Sequence, residues 1–148
     1  MNLGDGFNLT QEPWVLQWVA ERIREPSRFT KQATAMAVVR GGDLKAAAVY
    51  DFYKPAYQSM AIAIAGTQGW ATPSAVKIIL AAPFKMLNVN RLQCIVHKKN
   101  KRSRKLVEGV GFTLEGVMKD FWGPDNGDAC TYRLLRNEWE TGRFSNGK

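Results

Sequence analysis

The chain has 148 residues, 45% hydrophobic and 23% charged, the balance of one globular domain rather than of a disordered or low-complexity chain. Its 21 Lys and Arg against 13 Asp and Glu give a formal charge of +8, a surface that attracts nucleic acid, anionic lipid or a phosphate-rich cofactor. Composition and pattern argue against a membrane span, since no apolar run is long enough, and against a signal peptide, since Met1-Asn2-Leu3-Gly4-Asp5-Gly6 has neither a basic nor an apolar region. Cys94, Cys130 and the single histidine, His97, lack metal-ligand spacing, so no metal site is expected; two cysteines without a secretory signal fit a reducing cytoplasm, as buried free thiols.

In chain order, a short strand is expected near Phe7-Asn8-Leu9. Residues Pro13 to Arg24 read as a helix with proline in the first turn, an apolar stripe of Trp14, Val15, Trp18, Val19 and Ile23, and a stop at Glu25-Pro26. A shorter helical or irregular piece follows from Ser27 to Gln32. Ala35 to Arg40 and Leu44 to Tyr53 form a hairpin around Gly41-Gly42-Asp43. Ser59 to Ala65 alternates Met60, Ile62 and Ile64 with small residues and runs into a loop marked by Gly66 and Gly69. Thr72-Pro73-Ser74 opens a helix of about sixteen residues by N-cap and first-turn proline. Val76, Ile79, Leu80, Phe84 and Leu87 line its buried side, and Pro83 kinks it or ends its first part.

Arg91 to Val96 is a further strand, and the most informative stretch of the chain follows it. Asn100 is a preferred N-cap; Leu106, Val107 and Val110 recur at helical spacing; Gly111 sits where the chain needs a left-handed residue; Phe112 then enters a core. Phe112 to Trp122 and Ala129 to Leu135 make a last antiparallel pair around Gly123-Pro124-Asp125-Asn126-Gly127, and the tail from Glu140 reads as frayed. The expected class is therefore α/β with a mixed sheet. Six of the eight residues from Lys98 to Lys105 are Lys or Arg, which taken alone is a solvated face or a weak nucleic-acid signal.

From Asn100 to Gly116 the chain reads N-x-x-S-x-x-L-x-E-x-x-G-F-x-x-E-G. This resembles the second signature block of the GNAT N-acetyltransferases, and most of all the branch of the ribosomal-protein alanine acetyltransferases. The resemblance spans residues 34 to 139, strongly in the second half and loosely before it. It implies a twisted, mostly antiparallel sheet whose fourth and fifth strands splay apart, and a single domain over 1–148. It also implies acetyl-coenzyme A as acyl donor and direct attack by a primary amine, such as a protein N-terminus or a lysine. Small size, a loose phosphate loop and basic charge together resemble the acetyltransferases of bacterial viruses, acting in the host cytoplasm.

Several residues are singled out by the resemblance. Exposed amides at Ile62, Ala63, Ile64 and Ala65 would hold the pantetheine arm, and an amide of this strand would polarise the thioester oxygen. Gln68, Gly69, Trp70, Ala71, Thr72, Ser74 and Ala75 correspond to the pyrophosphate loop, in a degenerate form that lacks the usual glycine pair. Asn100 and Ser103 match positions facing the cofactor, and Lys101 and Arg104 are candidates for its ribose phosphate. The usual tyrosine acid is replaced by Val107. Ser103 then becomes the candidate proton donor near the sulfur, with Tyr132 second, and Glu115 the candidate proton acceptor. Asp51 and His97 rank lower. Trp14, Trp18, Phe52, Tyr53, Tyr57 and Trp122 belong to segments flanking an acceptor groove. The tail and the strands around Trp122 could form a homodimer contact. Two alternatives stand beside the enzyme: a catalytically weak relative that works by binding a partner protein, and a basic nucleic-acid-binding protein, disfavoured because no DNA- or RNA-reading motif is present.

Overall fold

The computed structural model describes residues 3–23 and 29–145. Seven strands form one sheet in the order β1-β2-β3-β4-β5-β7-β6. They are β1 (Gly6–Thr10), β2 (Thr34–Arg40), β3 (Asp43–Lys54), β4 (Ser59–Gly66), β5 (Arg91–His97), β6 (Thr113–Met118) and β7 (Ala129–Leu135), with helices α1 (Pro13–Ile23), α2 (Pro73–Ala81), α3 (Lys101–Gly109) and α4 (Arg136–Thr141). Every neighbouring pair is antiparallel except β4 and β5, which run parallel. The mixed sheet expected from the sequence is the one observed.

The sheet is covered on one face by α1 and on the other by α2 and α3, because strand alternation sorts side chains by size. Toward α1 the strands present Ala35, Ala37, Ala47, Val49 and Ala65, against which Val15 and Val19 pack with no exposed surface. Toward α2 and α3 they present Met36, Tyr50, Met60, Ile62, Leu92, Cys94, Tyr132 and Leu134. Small residues let α1 approach closely, whereas the larger face has to be filled by two helices.

Helix α2 shows how one proline is accommodated. Thr72 caps it, its hydroxyl accepting from the Ala75 amide at 3.2 Å. Pro83 cannot donate to the carbonyl four residues back, Ile79; that carbonyl instead accepts from the buried Tyr50 hydroxyl at 2.6 Å. The chain then widens into a π-helical turn, Ala82–Met86, rather than stopping. Burial without a charged partner pushes the Tyr50 phenol far above its ordinary range.

Four expectations are corrected. Leu87 lies past the π turn and is exposed, not part of the buried stripe. The strand expected to reach Trp122 ends at Met118, because Asp120 takes a positive φ and the following residues turn. Trp14 projects to solvent from α1 instead of joining its stripe. The tail is not frayed as far as Ser145: α4 follows β7 directly, and Trp139, Phe144 and Ser145 are buried, with Phe84 stacked on Trp139 at 4.8 Å. The Glu25-Pro26 stop lies outside the described residues, as do Arg24, Ser27 and Arg28.

Candidate functional site

Strands β4 and β5 pair only over Ser59–Arg91, Met60–Leu92 and Ala61–Gln93, and then separate. Beyond that point β4 stays paired to β3 as far as Gly66, and β5 to β7 as far as His97. A wedge-shaped gap therefore opens in the middle of the sheet. The Thr67 amide donates to Lys45 at 2.8 Å, which fixes the alternation along β4. Ala65 and Ala63 turn their backbone groups toward β3, while Ile62, at the apex, and Ile64 turn theirs toward the gap. Ala63 thus lines the gap without offering its amide to it, and Ile64 has an edge with no strand opposite.

A small cleft of about 70 Å³ occupies the gap. On the α2/α3 side its walls include Ile62, Ile64, Cys94, Asn100, Ser103 and Val107; on the α1 side, Ile23, Ile95, His97 and Trp122. Its lining comes from both faces of the sheet. A site of this kind can receive two reactants from opposite sides and join them in the middle.

Asn100 caps α3 as expected, its Oδ1 accepting from the Ser103 amide at 3.1 Å. The cap orients Ser103 toward the cleft, where its hydroxyl has no partner among the described residues. Val107 is buried in the same wall and contributes only apolar surface. Lys101 is exposed at the start of the helix. Arg104 is committed elsewhere: its Nε donates to the Tyr132 hydroxyl at 3.1 Å and its Nη1 to the Lys98 carbonyl at 3.2 Å.

The loop after β4 forms a second polar rim. Trp70 and Thr72 turn their amides inward, to Thr67 and Trp70, and Ala75 is bound by the Thr72 cap. The amides of Gln68, Gly69, Ala71 and Ser74 are left with no partner among the described residues. Gly69 holds a φ of +81°, the left-handed conformation that directs successive amides outward. The Trp70 side chain is core: it lies over Gly66, where an added Cβ would stand 2.2 Å from its Cδ1.

Two sequence-predicted candidates are not brought to the cleft. Tyr132 has no exposed surface; its hydroxyl donates to Glu108 at 2.7 Å and accepts from Arg104, so it ties β7 to α3. Burial first, then the Glu108 hydrogen bond, raise its phenol, and Arg104 opposes them. Glu115 lies at the β6 bulge and is paired with Arg91 at 2.5 Å and with Arg133 at 3.8 Å. The Arg91 hydrogen bond, aided by Arg133, lowers its carboxyl below the ordinary range, which suits an ion pair better than a proton acceptor.

His97 and Asp51 are likewise engaged. The His97 Nδ1 accepts from the Lys99 amide at 3.1 Å and Nε2 faces the Asn126 carbonyl at 2.9 Å. Asp51 is buried and accepts from Thr30 and from the Phe52 amide. Phe52 and Tyr53 neither line the cleft nor join the core. They border a separate cavity of about 580 Å³ between β3 and the π turn. Trp18 packs under Arg22, whose guanidinium lies 3.7 Å from its ring centroid, and Tyr57 is exposed. Of the six flanking aromatics only Trp122 reaches the cleft. Sequence reasoning did not single out Cys94, Ile95 or Ile23, whose place follows from where the parallel pairing stops.

Among the described residues no group of three or more His, Cys, Asp or Glu is placed to hold a metal, and no helix is long and apolar enough to cross a membrane.

No protein-family model matches the chain, and no curated protein sequence matches it. Solved structures do. A chimera of the spermidine N-acetyltransferase SpeG from Vibrio cholerae with hSSAT superposes with a TM-score of 0.71 at 15% identity, over 93% of this chain and 100% of that one. A GCN5-related N-acetyltransferase from Brucella melitensis gives 0.65 at 22% identity, over 75% of this chain and 54% of that one. The chain spans 63% and 65% of the length of two further acetyltransferase structures. At such identities the likeness speaks for architecture, and the architecture agrees with the splayed sheet: this chain has the fold of the GCN5-related N-acetyltransferases.

Proposed function

We propose that the protein is an acetyl-coenzyme A-dependent N-acetyltransferase that acetylates a primary amine, with the 148 residues acting as one acetyltransferase domain. The observation that carries the reading is the gap between β4 and β5, with unpaired backbone on one side and the capped start of α3 on the other. The donor set fits the cofactor. The free amides of Gln68, Gly69, Ala71 and Ser74, at the positive end of α2, suit a pyrophosphate. Thr72 and Ala75 hold that helix start in shape. The edge at Ile62 and Ile64 suits the amide-rich pantetheine arm, Ala63 adding only apolar wall. Asn100 and the exposed Lys101 suit the ribose phosphate, a task in which Arg104 has less to give because two of its nitrogens are already bonded.

Bound there, acetyl-coenzyme A supplies an acyl thioester. The chain's own part is to aim a fixed amide at developing oxyanion charge, for which Ile64 is the candidate, and to exclude water with Ile62, Val107 and Trp122. Ser103 holds a hydroxyl in the cleft where a proton can be oriented and relayed; a hydroxyl is a modest acid, so its contribution is positioning more than acidity. Glu115 and Tyr132, held in an ion pair and in the core, are assigned to placing β6 and α3.

Isothermal titration with acetyl-coenzyme A and with dephospho-coenzyme A tests this reading. Micromolar binding of the first and weaker binding of the second are expected, and no detectable binding of either overturns it. Val107 at the usual acid position favours a second reading, a cofactor-binding protein with little turnover. Binding without thiol release across a set of amines would select it.

A further inference from the structure

The α1 side of the cleft is built differently from the α3 side. Its walls are Ile23, Ile95, His97 and Trp122, and the Ile95 side chain is half exposed between them. Trp122 stacks on the His97 imidazole with centroids 5.0 Å apart, and Phe121 stands edge-on to Trp122 at 4.9 Å. The His97 ring anchors this aromatic group. His97 is fixed through both ring nitrogens, and at Gly127, with a φ of +105°, a Cβ would fall 2.5 Å from His97 Nε2.

Among the described residues, the charged and titratable groups near this mouth are engaged, neutral or outside its lining. On β5, the His97 Nδ1 accepts from the Lys99 amide and its Nε2 faces the Asn126 carbonyl, so both ring nitrogens are already engaged. Cys94 is a neutral thiol, pushed by burial up to about 12. On the β6–β7 loop, Asp128 is bound to Lys119 at 3.4 Å and to the Asp120 amide at 2.9 Å, while Asp120 and Asp125 lie outside the cleft lining. On α3 and before it, Lys98, Lys99, Lys101 and Arg102 are exposed cations, and Glu108 is held by Tyr132. On α1, Arg22 lies over Trp18. No carboxylate lines the cleft among the described residues.

An ammonium group entering this mouth would leave water for apolar walls on a chain of net charge +8, with no carboxylate of the described residues in the lining to take its proton. An amine already present as the free base meets neither obstacle. We infer, resting on the acetyl-transfer reading, that the acceptor is a weakly basic primary amine carried on an apolar or aromatic body, which enters from the α1 face against Trp122, and that multiply charged polyamines are poor acceptors. A peptide α-amine, at about 7.7–8.0, offers roughly three hundredfold more free base at pH 7 than an alkylamine of lysine type at about 10.4.

The test uses the full chain and begins with the acetyl-coenzyme A titration, so that loss of the cofactor reading is seen separately. Thiol release is then followed with L-phenylalaninamide, with a peptide beginning with phenylalanine, and with spermidine. Phenylalaninamide or the peptide should exceed spermidine at least tenfold in kcat/KM. The larger of the two tells a free small amine from a chain terminus. The logarithm of kcat/KM should rise with unit slope up to the amine's own pKa, with no earlier inflection. Trp122→Ala should raise KM for phenylalaninamide about tenfold and leave acetyl-coenzyme A affinity unchanged, and Trp122→Phe should recover most of the loss. Preference for spermidine, a plateau at one pH whichever amine is used, or cofactor binding without turnover of any of the three would each overturn the inference. Failure to bind acetyl-coenzyme A would overturn the reading beneath it, and binding without thiol release across a wider set of amines would replace it with the low-turnover one.

Discussion

The two splayed strands each end at a capped helix, and the two helix starts are built from opposite materials. After β4, Thr72 caps α2, and what faces outward is backbone: amides at Gln68, Gly69, Ala71 and Ser74 with no partner among the described residues, without a single cationic side chain from Gly66 to Val76. After β5, Asn100 caps α3 with nearly the same geometry, 3.1 Å against 3.2 Å, but what faces outward is charge on long side chains, Lys98, Lys99, Lys101 and Arg102. Amides fixed by a turn are short, directional and already ordered. Lysines reach further, lose rotamer entropy on binding and are screened by salt. The α2 rim should therefore determine whether an anionic cofactor binds, and the α3 rim how fast and how strongly it is attracted.

The largest expected effect comes from reversing the sign of the amide rim. Ser74→Glu places a carboxylate among groups suited to phosphate, and acetyl-coenzyme A affinity should fall at least a hundredfold, about 2.7 kcal/mol, at any ionic strength. Titration calorimetry at low and at 0.5 M salt measures it; a loss that salt abolishes would mean the rim works by long-range charge after all. Next is Gly66→Ala, whose new methyl would meet the Trp70 ring at 2.2 to 2.6 Å. The whole buried indole must move, so a destabilisation of about 2 kcal/mol is expected, read from denaturant midpoints, with weakened cofactor binding because Trp70 carries the turn that aims the amides.

Chain pattern foretold these helix starts, while the gap between them was expected only through the family resemblance, which implies splayed fourth and fifth strands. Thr72-Pro73 and Asn100 are local signals, as are the stripe through Val107 and the turn at Gly41-Gly42, and all were legible because caps and periodicity act within one or two turns. The gap depends on parallel pairing that stops after three residue pairs, and no residue of β4 announces it. The same distance hid the partners of Glu115 and Tyr132, which lie 24 and 28 positions away in Arg91 and Arg104, so both read as candidate catalytic groups when taken singly. Trp70 read as part of a phosphate loop because its burial requires knowing that Gly66 lies beneath it. Helix α4 was missed because six residues are too few to show a period.

A smaller effect concerns the placing of the β5 rim. Glu115 joins β6 to Arg91 at the first residue of β5. Because the folded state lowers the Glu115 carboxyl, the pair's stabilisation is complete above the unfolded value, near 4.3, and disappears as pH falls through the lower folded value. Glu115→Gln should thus cost a few tenths to about 1 kcal/mol at pH 7, the range of a partly exposed pair. Variant and parent should converge in thermal midpoint as pH falls below the unfolded value and through the lower folded one. A difference that persisted unchanged at pH 3 would assign the effect to packing rather than charge.

The smallest effect sharpens the comparison most, because it isolates the cationic rim. Lys101 stands exposed in the first turn of α3 and makes no ion pair among the described residues. A single exposed lysine acts on a bound phosphate largely through solvent, and the screening length shrinks from about 10 Å at 0.1 M salt to about 3 Å at 1 M. Lys101→Ala should therefore weaken acetyl-coenzyme A about two- to threefold in dilute buffer, mostly by slowing association, since charge steers encounter more than it holds the complex. It should leave dephospho-coenzyme A nearly unaffected if the lysine serves the ribose phosphate. Raising salt toward 1 M should bring parent and variant together, whereas the Ser74→Glu loss should stand. If both losses vanish in salt, the two rims are one electrostatic surface and the distinction between amide and charge fails.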